Sequence, residues 1–325
     1  MFRPRMGWKP RVGILAAILL VAVAATRFEK KQMAASAAGA AARVDGPTRV
    51  SAERLMQDVQ ALSSPELEGR LTGSPGNHKA QAFILRRFGA LGLKAIVPTP
   101  DGAGSTFRQE FRDAANLMGS IEGSAELARF TTVTAHYDHL GVRDGVVYPG
   151  ADDNASGVAA MLAAAEYFTQ HRPRRSMLFI AFDGEEEGLQ GSRYFVAHAP
   201  VPLRAIVLEV NLDMVARGDR NELVVAGTYY SPALKGPVAA AARGRSLALL
   251  FGHDRPGIAR GAMEDWTHSS DHGPFHDAGI PFLYFGVEDH ADYHRPTDTA
   301  DKIPRTFFLN AANLIVDTLL ALDAR

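Results

Sequence analysis

Five short stretches of the chain are nearly continuous in apolar or β-branched residues: Thr131–Ala135, Met177–Phe182, Ala205–Leu212, Leu223–Ala226 and Phe282–Val287. Runs of this length without polar alternation predict strands covered on both faces, as in a parallel sheet. Between them the period changes. Val158, Met161, Leu162, Ala165 and Phe168 fall on one face of a helix, and alanine fills most of the remaining positions, so this helix is expected to pack closely on several sides. Leu55, Val59 and Leu62 predict a helix over 51–62. A second amphipathic helix is expected from His78 to Leu91 with Ala82, Ile84, Leu85 and Phe88 inward, and a closing helix over 306–322. Strands alternating with helices predict an α/β fold, with a mainly parallel mixed central sheet flanked by helices on both faces.

The start of the chain follows another pattern. Residues 1–11 are basic, and residues 12–25 form an uncharged apolar run of fourteen. A bilayer-spanning helix needs about 20 apolar residues. A basic start, a short apolar run and the small residues Ala22, Val23 and Ala24 read as a secretory signal peptide. Arg27, Lys30 and Lys31 just beyond the run also fit a short anchor in the inner membrane. Either way the chain is expected to be exported, to the periplasm or beyond. Residues 26–48 are rich in alanine and glycine and read as a flexible linker, which leaves 49–325 as a single domain.

The polar residues that end the apolar runs carry the chemistry. His136, Tyr137, Asp138 and His139 follow the first run, Asp183 to Glu187 the second, and Asp213 ends the third. Glu288, Asp289, His290, Asp292, Tyr293 and His294 follow the last. The stretch G-A-D-D-N-A-S-G, Gly150 to Gly157, puts Asp152 and Asp153 where a loop turns into the alanine-rich helix, with Asn154 and Ser156 as capping residues. Taken singly, each of these residues reads as structural. In an open α/β sheet, however, ligands bind in the crevice beyond the carboxyl ends of the strands. Several carboxylates gathered there repel one another unless a cation neutralises them. The chain has no cysteine, so a metal must sit on His, Asp and Glu, a donor set suited to zinc or a similar divalent ion. The formal net charge is −1. Without residues 1–24 the balance is 31 basic to 36 acidic residues, and no basic surface for nucleic acid is indicated.

These pieces resemble the di-zinc aminopeptidase family, peptidase family M28, over about Leu62 to Ile303. The resemblance rests on L-S-S-P-E-L-E-G-R-L-T-G-S-P-G-N (62–77), T-A-H-Y-D-H-L-G (134–141), G-A-D-D-N-A-S-G (150–157) and F-D-G-E-E-E-G-L-Q-G-S (182–192). N-L-D-M (211–214), S-D-H (270–272) and D-Y-H-R-P-T-D-T (292–299) follow in the family's order. The resemblance implies two zinc ions, other divalent ions being possible, held by His136 and Asp213 on one side and by Glu186 and His294 on the other. Asp152 would bridge them, with a cis peptide between Asp152 and Asp153. It implies Asp138 orienting the His136 ring, with Asp153 as a further supporting carboxylate. Glu185 would be the general base acting on a water between the metals, and Tyr293 a group that stabilises the oxyanion. Gly184 and Gly188 would let the chain turn so that Glu185 and Glu186 splay apart, while Glu187 is solvated or structural. The span from Phe107 to Phe130 is too short for the protease-associated domain that some relatives insert there.

The implied substrate is a peptide with a free N-terminus. The membrane enters only through an uncleaved N-terminal segment. Three alternatives stay open: a carboxypeptidase, a glutaminyl-cyclase-like enzyme on the same fold, and a non-catalytic binding relative. Met263, Trp266 and Phe275 are candidates for an apolar substrate pocket, with loop or core roles equally compatible. Ser270, Asp271 and His272 are expected near the site.

Overall fold

A computed structural model describes residues 46–256 and 264–324, and these belong to one compact unit. The expected signal or anchor segment, nearly all of the expected linker, and Met263 lie outside the described residues.

Nine strands form the main sheet: β1 (Lys94–Ala95), β2 (Arg108–Phe111), β3 (Ala114–Ile121), β4 (Glu126–His136), β5 (Arg175–Phe182), β6 (Ile206–Leu212), β7 (Glu222–Ala226), β8 (Ala248–Phe251) and β9 (Phe282–Gly286). Their order is β1-β3-β5-β4-β6-β9-β7-β8, with β2 pairing on β3. The four central strands, β5, β4, β6 and β9, are mutually parallel. The antiparallel pairings of β3 with β5 and of β7 with β9 make the sheet mixed. All five strands expected from the apolar runs are present. The pattern gave no sign of β3, because Asn116, Gly119 and Ser120 interrupt its apolar residues. From β4 the chain goes to one neighbour, β5, and then returns past β4 to β6 on the other side. That reversal opens a crevice at the carboxyl end of β4.

Helices cover both faces. Along β5, Phe179 and Ala181 join a large core with helices α1 (Ala52–Leu62), α2 (Pro75–Leu91), α3 (Gly157–Gln170) and α7 (Arg305–Asp323). Leu178, Ile180 and Phe182 point the other way, toward Phe195 of α4 (Gln190–Ala197) and Phe275 of α6 (His272–Asp277). A further short helix, α5 (Lys235–Ala241), lies near α7. Helix α2 begins three residues earlier than the periodicity suggests. Ser74 accepts from the Asn77 amide, and Pro75 occupies the first turn, where its missing N–H costs nothing. Ala82 is exposed; the inward face is Ala80, Gln81, Ile84 and Phe88, with Leu85 half-buried against the core.

Candidate metal centre

Helix α3 starts only at Gly157. The preceding turn, Ala151–Ser156, departs from helical torsions at Asp153 (φ −103°, ψ 98°) and Asn154 (φ −128°, ψ 43°). Asn154 caps as expected, its Oδ1 accepting from Gly157 N at 2.9 Å. Ser156 does not: its hydroxyl donates to Asp152 and accepts from Val215 N. The cis peptide lies between Asp153 and Asn154, not between Asp152 and Asp153.

The same turn exchanges the expected places of the two aspartates. Asp153 stands between two donor groups. Its Oδ1 is 3.4 Å from His136 Nε2, and its Oδ2 is 3.1 Å from His294 Nε2. Asp213 Oδ1 completes the first group, 3.3 Å from His136 Nε2, and Glu186 Oε2 the second, 3.3 Å from His294 Nε2. Asp152 faces away. Its Oδ2 meets His290 Nε2 at 3.2 Å, and its Oδ1 accepts from Ser156 Oγ and from Ala216 N at 2.8 Å. The structure therefore brings together His136, Glu186, Asp213 and His294 as expected, and puts Asp153 rather than Asp152 among them.

His136 is the last residue of β4, and its Nδ1 is 3.3 Å from the Asp138 carbonyl and 3.6 Å from Asp138 Oδ1. The Asp138 carboxylate also accepts from the amides of Glu185 and Glu186, both at 3.2 Å. One side chain thus ties the loop after β5 to the loop after β4. Gly184 adopts φ +68°, which favours glycine, and so admits the turn that carries the two glutamates. Glu187 is exposed, as expected. Burial, together with the Asp213, Asp271 and Asp138 carboxylates, holds Glu185 well above the usual carboxylate range, against the opposing pull of His136. Tyr293 stacks on the His294 ring with centroids 3.9 Å apart. Burial and the nearby charges of Asp153 and Asp213 raise its phenol, which stays protonated.

Several residues to which the sequence assigned no role hold this arrangement. Asp298 accepts from the amides of Asp152 and Asp153, and burial with the Asp152 charge pushes it up to about 6. Asp183 gathers Thr72, Asn77, Tyr137 and the Ala115 amide. The Arg70 guanidinium is buried and donates only to carbonyls: Leu62, Tyr137, Pro149 and Gly150, at 2.6 to 2.9 Å. It joins the loop after His136 to the loop before Asp153. Arg70→Met is expected to leave four buried carbonyls without these partners and to cost about 3 kcal/mol or more. The measurement is a lower urea midpoint at an unchanged denaturant slope. His139, the second histidine of the 134–141 stretch, lies against Glu186 with Nδ1 2.7 Å from Oε1.

The S-D-H residues are buried beside these groups. Ser270 accepts from Asn211, His272 pairs with the Trp266 carbonyl, and burial pushes Asp271 up to about 7. Phe275 is core, packed between Phe182 and Phe195. Trp266 stacks on His253 and stands edge-on to Tyr284.

The donor chemistry fits zinc: imidazole nitrogens and carboxylate oxygens converge, with His136, Asp153 and Asp213 within reach of one ion and His139, Asp153 and Glu186 within reach of another, where His294 meets the same two carboxylates. The charge balance fits as well. Burial and the Glu186 charge raise Asp153 in the protein alone, and a cation relieves that repulsion.

The family model described as Peptidase family M28 matches residues 116–319. Aminopeptidase YwaD of Bacillus subtilis (strain 168) is 32% identical over 191 residues, 56% of this chain and 39% of that protein. The first curated relatives are thus matched over less than half their own length, 39% and 46%. Among solved structures, a zinc aminopeptidase from Bacillus subtilis superposes with a TM-score of 0.66 at 19% identity, covering 84% of this chain and 96% of that one. Porphyromonas gingivalis glutaminyl cyclase does so with a TM-score of 0.65 at 20% identity, covering 84% and 99%. At such identities the likeness speaks for the fold alone, and the fold is shared by both chemistries.

Proposed function

The chain belongs to peptidase family M28, and from that membership we propose that it is a zinc-dependent aminopeptidase that releases N-terminal residues from peptides. The observation that carries the reading is Asp153, whose two carboxylate oxygens each face a separate histidine–carboxylate group. His136, Asp153 and Asp213 would hold one ion; Asp153, Glu186 and His294 would hold the other. Bound there, such a pair would acidify a water and polarise the scissile carbonyl.

The remaining steps belong to the side chains. Glu185 takes the proton of the attacking water and returns it to the leaving amine. Burial raises its affinity for that proton. The protonated Tyr293 phenol donates to the oxyanion as charge develops. The basic start and the apolar run of residues 12–25 support export. The N-terminal mass of the protein recovered from the cell envelope distinguishes cleavage from anchoring.

Two peptides identical except for N-terminal acetylation test the activity, with products read by mass and a chelator control. Loss of the first residue from the free peptide alone, abolished by the chelator, is the expected result. Trimming of both from the C-terminus would make the protein a carboxypeptidase. Loss of ammonia without shortening, from a third peptide that begins with glutamine, would make it a cyclase. No reaction with any of the three would favour a binding protein.

A further inference from the structure

The proposed mechanism leaves one histidine of the centre without a task. His139 is fully buried, with Nδ1 2.7 Å from Glu186 Oε1 and 3.6 Å from Asp153 Oδ2. His294 meets the same two carboxylates from the other side, through Asp153 Oδ2 and Glu186 Oε2. Glu186 therefore turns one oxygen to each imidazole. The two rings differ in setting: the His294 side chain is 38% exposed, that of His139 not at all. The far nitrogen of His139, Nε2, is buried without a hydrogen-bond partner. Gly150 closes against the ring, since a Cβ at that position would lie 2.5 Å from His139 Cδ2.

These contacts select one form of the ring. A carboxylate oxygen at 2.7 Å accepts, so Nδ1 carries the proton. A second proton on Nε2 would be a buried donor with nothing to receive it.

We propose that His139 is a positioning residue for Glu186. Its Nδ1–H fixes Oε1 and leaves Oε2 as the oxygen turned toward Asp153 and His294. A carboxylate held in this way offers a metal one oxygen rather than two, so His139 sets the binding mode of Glu186 without joining the ligands. The inference rests on reading this cluster as a metal centre.

The test compares the wild type with His139→Asn, His139→Gln and His139→Leu. Asparagine places an amide N–H near the position of Nδ1, glutamine places it nearer that of Nε2, and leucine has no donor. Zinc binding is titrated against a chromophoric chelator, with thermal unfolding of each metal-free chain as the folding control. The expected result is two zinc ions per wild-type chain. His139→Asn should stay within about threefold at both sites, whereas His139→Gln and His139→Leu should bind one of the two ions about 10- to 100-fold more weakly. Leucine at wild-type affinity would reduce His139 to packing and overturn the inference. Asparagine as weak as leucine would make His139 a ligand and overturn it equally.

A measurement on the unmutated protein stands beside these in case a variant fails to fold. Nitrogen-15 spectra of the zinc-loaded, histidine-labelled chain should show His139 as the Nδ1–H tautomer, and the Nε2–H form would overturn the proposal. A wild-type chain that binds no zinc would overturn the metal reading itself. Two bound zinc ions with the wrong order among the variants would overturn only the role of His139.

Discussion

Asp153→Asn is expected to empty both metal positions at once and to lower peptide hydrolysis by more than about 100-fold, since even residues that only support metal ligands contribute about 10- to 100-fold. Each oxygen of Asp153 serves a different histidine, so neutralising this one carboxylate weakens both groups. Asp152→Asn is the matched control one residue away. Its carboxylate meets Ser156, Ala216 and His290. An asparagine there keeps an acceptor for the first two, and both metals should remain. Zinc content after dialysis, measured beside turnover for both variants, decides the matter. Two retained ions in Asp153→Asn and none in Asp152→Asn would return the bridging place to Asp152.

That pair also marks where the sequence stops being legible. The strand ends could be read because a parallel strand is a continuous apolar run and its polar successor points into the crevice. His136 ends β4, Glu186 and Asp213 follow β5 and β6, and His294 lies in the segment after β9. Which of two adjacent aspartates faces inward depends instead on backbone torsions. The non-helical torsions of Asp153 and Asn154, inside a stretch that reads as a helix start, are fixed by partners remote in the chain. Asp298 grips the amides of Asp152 and Asp153 from 146 and 145 residues away, and Arg70 holds the Gly150 carbonyl from 80. His139 is similar. Its spacing from His136 was visible, but its partner Glu186 lies 47 residues on, on another strand end. Local pattern supplies the elements and their polar ends. The orientation of each side chain comes from contacts that exist only once the sheet has formed.

Glu185→Gln separates metal binding from proton transfer. The Glu185 side chain belongs to neither donor group, so the variant should keep both ions and the peptide affinity of the wild type. Its turnover should fall by about 10²- to 10⁴-fold, the range for removing a general acid–base group. The fold gives a reason to expect an undisturbed site. Asp138 holds Glu185 and its neighbour by their amides, a grip that does not depend on the side chain, and Glu186 keeps its contacts with His139 and His294. What the glutamine removes is a carboxylate whose affinity for protons is raised by burial and by Asp213, Asp271 and Asp138. The loss should therefore fall on kcat with KM nearly unchanged, because proton transfer occurs in the transition state and not in the ground-state complex. Steady-state kinetics on a free-amine peptide, with zinc counted in the same preparations, make the comparison. A variant within about tenfold of wild type and carrying both ions would remove Glu185 from the reaction and leave the base to be sought among the other carboxylates of the crevice.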